Sequence, residues 1–276
     1  MRRVVLDQKD FAIMSPLLRG KKGLRLGRCL VRLLSIHRVN RVYENSIHLR
    51  GAEFAASLLK DVGVSYEIEN EEQLSNLPEG TFITVSNHPY GGLDGVIMID
   101  IMVRRRPDYK FMVNSILMNV RTMADNFVGV QPATAKSSGS NDNALKLKET
   151  IRHMKEGHPM GFFPAGAVSN FHKPNWFQLT DRDWQPTVIR LIQAAKAPVI
   201  PIFFHGKNSC FFNFLGRVNW QLRSMRMPYE VFNKRGKTIK VTIGDPISWE
   251  EQKQYAKVEE LAAFLKARTY ALSKKG

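Results

Sequence analysis

The sequence predicts an α/β fold: a largely parallel sheet covered by helices, preceded by an N-terminal amphipathic helical segment. Two observations carry that expectation. Short apolar, β-branched runs alternate along the chain with longer segments of helical period, the order that builds a parallel sheet with helices on both faces. The runs are also apolar almost throughout, as strands buried on both faces require. With 276 residues and 43% of them hydrophobic, the chain can fill such a core.

Taken in order, Leu24 to His37 reads as an amphipathic helix, with Leu26, Leu30, Leu33 and Leu34 on one face and Arg25, Arg28 and Arg32 on another. A second helix spans Gly51 to Lys60 and stops near Gly63. Thr81 to Ser86 follows the turn Pro78-Glu79-Gly80 and reads as a buried strand. Gly95 to Val103 is the next helix. Further strands are expected at Lys110–Val113, Phe127–Val130, Met160–Phe163, Val199–Phe204 and Thr238–Ile243. Between them, Ala144, Leu147, Ile151 and Met154 keep a helical period, as do Val188, Leu191, Ile192 and Ala195 after Pro186. Val258, Leu261, Leu265 and Leu272 outline a C-terminal helix. Ser137 to Asn141 reads as a flexible loop over the site. The division expected is a basic, membrane-associating helical segment over 1–62 and an α/β domain over 63–276.

Charge is unevenly placed. The net charge is +16, and from Met1 to Arg50 twelve Lys and Arg face three acids, a net of +9. Nucleic acid, anionic lipid and an acidic protein could each explain such an excess. The chain lacks the basic and aromatic interleaving of nucleic-acid readers, so an anionic membrane surface is the better partner and nucleic acid is not expected. The longest uncharged apolar run, Ala197 to Phe204, falls short of the ~20 residues a membrane-spanning helix needs. No secretory signal pattern opens the chain. Two cysteines, Cys29 and Cys210, form no framework and fit a reducing compartment. The seven histidines show no metal-ligand spacing, and no metal or cofactor is expected.

The chemistry concentrates in Ser86-Asn87-His88-Pro89-Tyr90-Gly91-Gly92-Leu93-Asp94-Gly95. A histidine just past a strand, with an aspartate across a glycine pair, can form a general base and its orienting carboxylate, against the alternative of a structural histidine and an aspartate that only caps the next helix. Neutral imidazole can take a proton from a hydroxyl near pH 7. Gly91 and Gly92 permit positive φ or close approach of a substrate. No Gly-x-Ser-x-Gly elbow or other nucleophile signature is present, so direct attack by a substrate hydroxyl is expected.

This block resembles the hallmark of the PlsC-type glycerolipid acyltransferases, which move a fatty acyl chain from a thioester onto an alcohol. Five residues separate His88 from Asp94 where that family usually has four. The longer form resembles the hemolysin-labelled branch, which includes O-acyltransferases of bacterial ornithine and glycine lipids. The resemblance runs from about Asp10 to about Ser248 and implies the PlsC-like fold. A second block, Phe163-Pro164-Ala165-Gly166-Ala167-Val168-Ser169, matches the family's Phe-Pro-Glu-Gly-Thr-Arg-Ser, but Ala165 and Val168 stand where the phosphate-holding Glu and Arg would be. The arginine of another family block is missing from Asn126 to Pro132. Ala197 to Ser209, ending His205-Gly206-Lys207-Asn208-Ser209, is similar to the strand that lines the acyl site.

The resemblance implies that His88 and Asp94 are catalytic. It implies substrate contacts from Asn87, Gly91 and Gly92, from Phe163, Pro164, Ala165, Gly166 and Ser169, and from Lys207, Asn208 and Arg223. A phosphate favours bidentate arginine contacts, so their loss points to an acceptor without one, an N-(3-hydroxyacyl) amino acid. Lys207, Arg223 and Arg226 are candidates to pair with its carboxylate, against the alternative of solvated surface charge; His205 reads as structural. The expected partners are an acyl carrier protein or CoA thioester as donor and a lipid acceptor, with the protein cytoplasmic and peripheral on the inner membrane face. Two rivals stay open: a lysophosphatidate or glycerol-3-phosphate acyltransferase, and a non-catalytic membrane-binding or lytic protein.

Overall fold

The computed structural model describes residues 4–5, 20–131, 140–171 and 179–274. A seven-stranded sheet is covered by helices on both faces. In chain order the elements are α1 (Gly20–Leu33), α2 (Ile36–Asn45), α3 (Gly51–Val62), β1 (Val64–Glu69), β2 (Ile83–Ser86), α4 (Gly92–Val103), β3 (Lys110–Asn114), β4 (Phe127–Val130), α5 (Ser140–Lys155) and β5 (Met160–Phe162). There follow β6 (Asn170–Phe171), β7 (Leu179–Thr180), α6 (Pro186–Ala195), β8 (Val199–Phe204), α7 (Cys210–Val218), α8 (Trp220–Phe232), β9 (Lys237–Ile243), α9 (Trp249–Gln252) and α10 (Val258–Ala271).

The strand order is β1-β9-β8-β2-β5-β3-β4, and β6 and β7 form a separate antiparallel pair. Every ladder of the large sheet is parallel except β8 with β9. The expected α/β class and its largely parallel sheet are therefore borne out. β2 lies centrally, with Val85 opposite Phe162 on β5 and opposite Pro201 on β8. The carboxyl ends of β2, β5, β3, β4 and β8 consequently share one edge, where parallel sheets collect their sites.

Alternation along the strands feeds two cores. Ile83 and Val85 pack with Phe162, Ile189, Ile192, Leu261 and Leu265 on one face. Ile200, Ile202 and Phe204 pack with Phe54, Leu59, Ile97, Met98 and Ile101 on the other. Ile97 is completely buried, and truncating such a side chain to alanine costs about 2–5 kcal/mol. Val42 and Tyr43 of α2 and Phe54, Ala55, Leu59 and Val62 of α3 belong to that second core. Much of the segment before residue 62 thus packs on the sheet.

Four local expectations need correction. The continuous helix over Leu24–His37 is broken at Ser35, whose backbone is left-handed (φ 59°), so α1 and α2 are separate. The helix after the glycine pair begins at Gly92, not Gly95, because Asp94 caps its first turn. Strand β1 was not anticipated: its Val, Tyr and Ile alternate with Ser and Glu, and at the sheet edge beside β9 only Val64 is buried while Tyr66 and Ile68 are partly so. Of the loop expected over 137–141, residues 137–139 lie outside the described residues, while Ser140 and Asn141 open α5.

Candidate active site

The site is assembled where β2 and β5 end. Asn87 leaves β2 with both amide atoms on the backbone of Phe204: Nδ2 donates to its carbonyl (2.9 Å) and Oδ1 accepts from its N–H (2.8 Å). The pairing extends the β2–β8 ladder by a side chain and sets the direction of the next residue, His88. Beyond it, Asn208 Nδ2 donates to the Pro89 carbonyl (3.1 Å), and Tyr90 Oη donates to the His205 carbonyl (2.8 Å).

The chain then turns through Gly91 at φ 75°, a conformation that disfavours side chains. Here a Cβ would also meet Met227 Sδ at 2.4 Å. The turn folds Asp94 back. Its Oδ2 accepts from Tyr90 N (2.9 Å) and Gly91 N (3.0 Å) and lies 2.9 Å from His88 Nδ1. The ring approaches at an angle rather than along a straight hydrogen bond, and Asp94 Oδ1 is buried without a hydrogen-bond partner in the structure. Burial pushes the Asp94 carboxyl above its ordinary range, while His88 and the two peptide N–H groups pull it back. The same burial, with the Asp94 charge beside it, raises the Tyr90 hydroxyl to about 12.

His88 also stacks on Phe163, with ring centroids 3.8 Å apart and planes 21° from parallel. The carboxylate lies at Nδ1 and the aromatic ring against the face, and Nε2 has no hydrogen-bond partner among the described residues. The side chain keeps 16% of its surface accessible. Beside it Gly92 faces open space, since a Cβ there would meet nothing within 4 Å.

The block after β5 supplies the opposite wall. Gly166 turns at φ 61° and its N–H closes on the Phe163 carbonyl (2.8 Å). Gln185 N donates to Pro164 O, and Arg182 Nε to the carbonyl of the fully buried Ala165 (2.6 Å). Ser169 N donates to the His88 carbonyl (2.9 Å), tying the two blocks together. Its hydroxyl donates to Asp181 Oδ1 (2.6 Å), and Asp181 Oδ2 accepts from Trp184 Nε1. The buried Arg223 donates through Nη2 to the carbonyls of Val168 (3.1 Å) and Ser169 (2.5 Å), and burial lowers its pKa to about 10.

The structure thus converges His88, Asp94, Gly91, Phe163, Ser169 and Arg223. Asn87 and Asn208, expected at the substrate, face inward and hold backbone. Arg223 braces the Val168–Ser169 turn. Lys207 is exposed on the turn before α7. His205 Nε2 lies 2.7 Å from Thr242 Oγ1, which itself donates to Glu69 Oε2, a structural chain. Asp181 and Met227 were not anticipated, because neither stands in a recognisable block. Among the described residues no group of three His, Cys, Asp or Glu could hold a metal ion.

The family model described as Acyltransferase matches residues 11–275. The chain belongs to the acyltransferase family. This agrees with the resemblance carried by the His88–Asp94 block, and the protein is an acyltransferase. The lyso-glycine lipid O-acyltransferase of Bacteroides thetaiotaomicron is 31% identical to this acyltransferase over 235 residues, covering 80% of each chain. The lyso-glycine lipid O-acyltransferase of Phocaeicola vulgatus is 27% identical over 265 residues, 92% of this chain and 91% of its own. Among solved structures, the 1-acyl-sn-glycerophosphate (LPA) acyltransferase PlsC from Thermotoga maritima matches with a TM-score of 0.49 and 15% identity, over 87% of this acyltransferase and 88% of its own chain.

Proposed function

We propose that this acyltransferase moves a fatty acyl chain from an acyl thioester to the hydroxyl of an N-(3-hydroxyacyl) amino acid, with lyso-glycine lipid the leading acceptor. The observation that carries the mechanism is the 2.9 Å approach of Asp94 to His88 Nδ1, in a side chain that keeps 16% of its surface accessible and has Nε2 unengaged among the described residues. Nε2 takes the proton of the acceptor hydroxyl as its oxygen attacks the thioester carbonyl carbon. The new C–O ester bond forms, the C–S bond breaks, and the imidazolium returns its proton to the departing thiolate. Asp94 fixes the ring and stabilises the imidazolium. The donor is an acyl carrier protein or CoA thioester.

The acceptor class is supported by the two relatives named lyso-glycine lipid O-acyltransferase and by the Phe163–Ser169 block. Ala165 is buried, and Val168 stands where the PlsC-type pattern has its arginine. Arg223 and Arg182, which reach this block from other elements, already donate to its carbonyls. A phosphate without its charge-assisted donor would lose about 1.5–3 kcal/mol per missing hydrogen bond.

Work at a membrane surface is part of the reading. α1 exposes Leu26 and Leu33 alongside Arg25, Arg28 and Arg32, the composition of a helix lying in a headgroup layer. No helix among the described residues is long and apolar enough to cross a membrane. The test offers one thioester donor together with N-(3-hydroxyacyl)glycine and lysophosphatidate. Acylation of the glycine lipid is expected; acylation of lysophosphatidate alone would defeat the proposal.

A further inference from the structure

Twelve large apolar side chains are exposed among the described residues, and seven of them lie between Phe211 and Tyr229, at 37% to 63% exposure. They are not scattered. Phe211, Phe214 and Val218 recur at i, i+3 and i+7 along α7, and Leu222, Met225 and Tyr229 do the same along α8, with Trp220 at the corner. Each helix therefore carries an apolar stripe on its outer side.

The inner side of the same hairpin buries Phe212 and Phe232 together with polar groups. Asn213, Arg223 and Glu230 are buried there. Glu230 accepts from Ser209 N (3.0 Å), Ser209 Oγ (2.7 Å) and Arg226 Nε (3.3 Å), and Lys234 lies 3.6 Å away. Arg223 is held on the Val168 and Ser169 carbonyls. These bonds fix which side faces out, so the apolar stripes are a surface rather than a displaced core face.

Charge identifies what the surface meets. From Trp184 to Tyr229 the chain has no Asp or Glu, and the one acid of the hairpin, Glu230, is buried, while Lys207 and Arg217 are exposed and Arg226 is partly so. The Arg226 guanidinium lies 4.7 Å from the Phe211 ring centroid and 4.2 Å from that of Tyr229. Arginine, tryptophan and tyrosine around exposed aliphatic groups, with no exposed acid in the hairpin, suit an anionic headgroup layer over hydrocarbon. A second copy would bring like charges together.

The placement completes the argument. β8 runs parallel to β2, so the hairpin leaves the sheet at the edge that carries His88. Met227 of α8 packs over Gly91, inside the His88–Asp94 turn. We propose that the outer face of the α7–α8 hairpin docks on an anionic bilayer, setting the mouth of the dyad against the headgroups so that a lipid acceptor reaches His88 without crossing bulk water. The lipid acceptor is taken from the proposed function; the docking itself is measured without turnover, so the two can fail separately.

The test uses the full chain with vesicles of phosphatidylcholine and phosphatidylglycerol in equal parts, one of the pair brominated on its acyl chains. Binding with bromolipid quenching of tryptophan emission is expected. Trp220→Phe should still bind but lose most of the quenching. Phe214→Glu with Trp220→Glu should weaken binding about tenfold or more, given the apolar area withdrawn, at an unchanged thermal midpoint. Vesicle binding unaffected by the double substitution would overturn the proposal, whether binding then rests on α1 or the face instead holds a second copy or an acidic carrier protein. Equal quenching in Trp220→Phe would also overturn it.

Discussion

Asn87 and Phe204 exchange two hydrogen bonds, side chain to backbone, across the ends of β2 and β8. The asparagine preceding His88 is thereby a splint: it closes the ladder where the backbone departs and aims the histidine at Asp94. Asn87→Ala would leave both Phe204 groups buried and unpaired, lowering stability by about 2–4 kcal/mol. Urea unfolding measures it. An unchanged midpoint would remove the splint from the account.

Asp94→Asn separates stability from chemistry. The folded-state pKa of Asp94 is raised by burial. The stability it contributes is therefore greatest in acid, where it is protonated, and is lost as pH rises through the folded value. At neutral pH the buried charge is a cost that asparagine removes, so the thermal midpoint should hold or rise. Acyl transfer should fall about 10³- to 10⁴-fold, because an amide cannot keep the ring tautomer that leaves Nε2 basic. Melting at pH 5 and pH 8 should differ less in the variant than in the parent. A variant with undiminished turnover would exclude the base assignment.

Glu230 behaves oppositely. Burial tends to raise its carboxyl, but the two Ser209 bonds, Lys234 and Asn233 outweigh it and the net shift is downward. Its contribution is complete above the ordinary glutamate value of 4.5 and disappears as pH falls through the lowered folded value. Acid should therefore loosen α7 and α8. Glu230→Gln should cost about 1–3 kcal/mol at neutral pH and flatten the acid limb of the unfolding profile. Calorimetry across pH 3 to 7 reads both effects, and a parallel acid limb in parent and variant would count against the anchor.

Much of the sheet was legible because buried parallel strands are continuous apolar runs. Ile83–Ser86, Phe127–Val130 and Val199–Phe204 could be read from composition alone. Edge strand β1, half-polar and partly buried, offered no such run. The dyad was legible for another reason: His88 and Asp94 are close in sequence, and one tight turn unites them. Asp181 lies twelve residues from the serine it binds, and nothing local marks the pair.

The sequence by itself determined the fold class, the His88–Asp94 pair and the basic character of the amino-terminal region, since short-range spacing and composition carry that information. Only tertiary structure decided what several polar residues do. Asn87, Asn208 and Arg223 look like substrate contacts in a line of letters, yet each is turned onto backbone whose hydrogen bonds must be met once buried. The hairpin shows the same limit from the other side. An i, i+3, i+7 apolar stripe is identical on paper whether it faces the core or outward, and the distinction rests on where Glu230 and Arg223 find their partners.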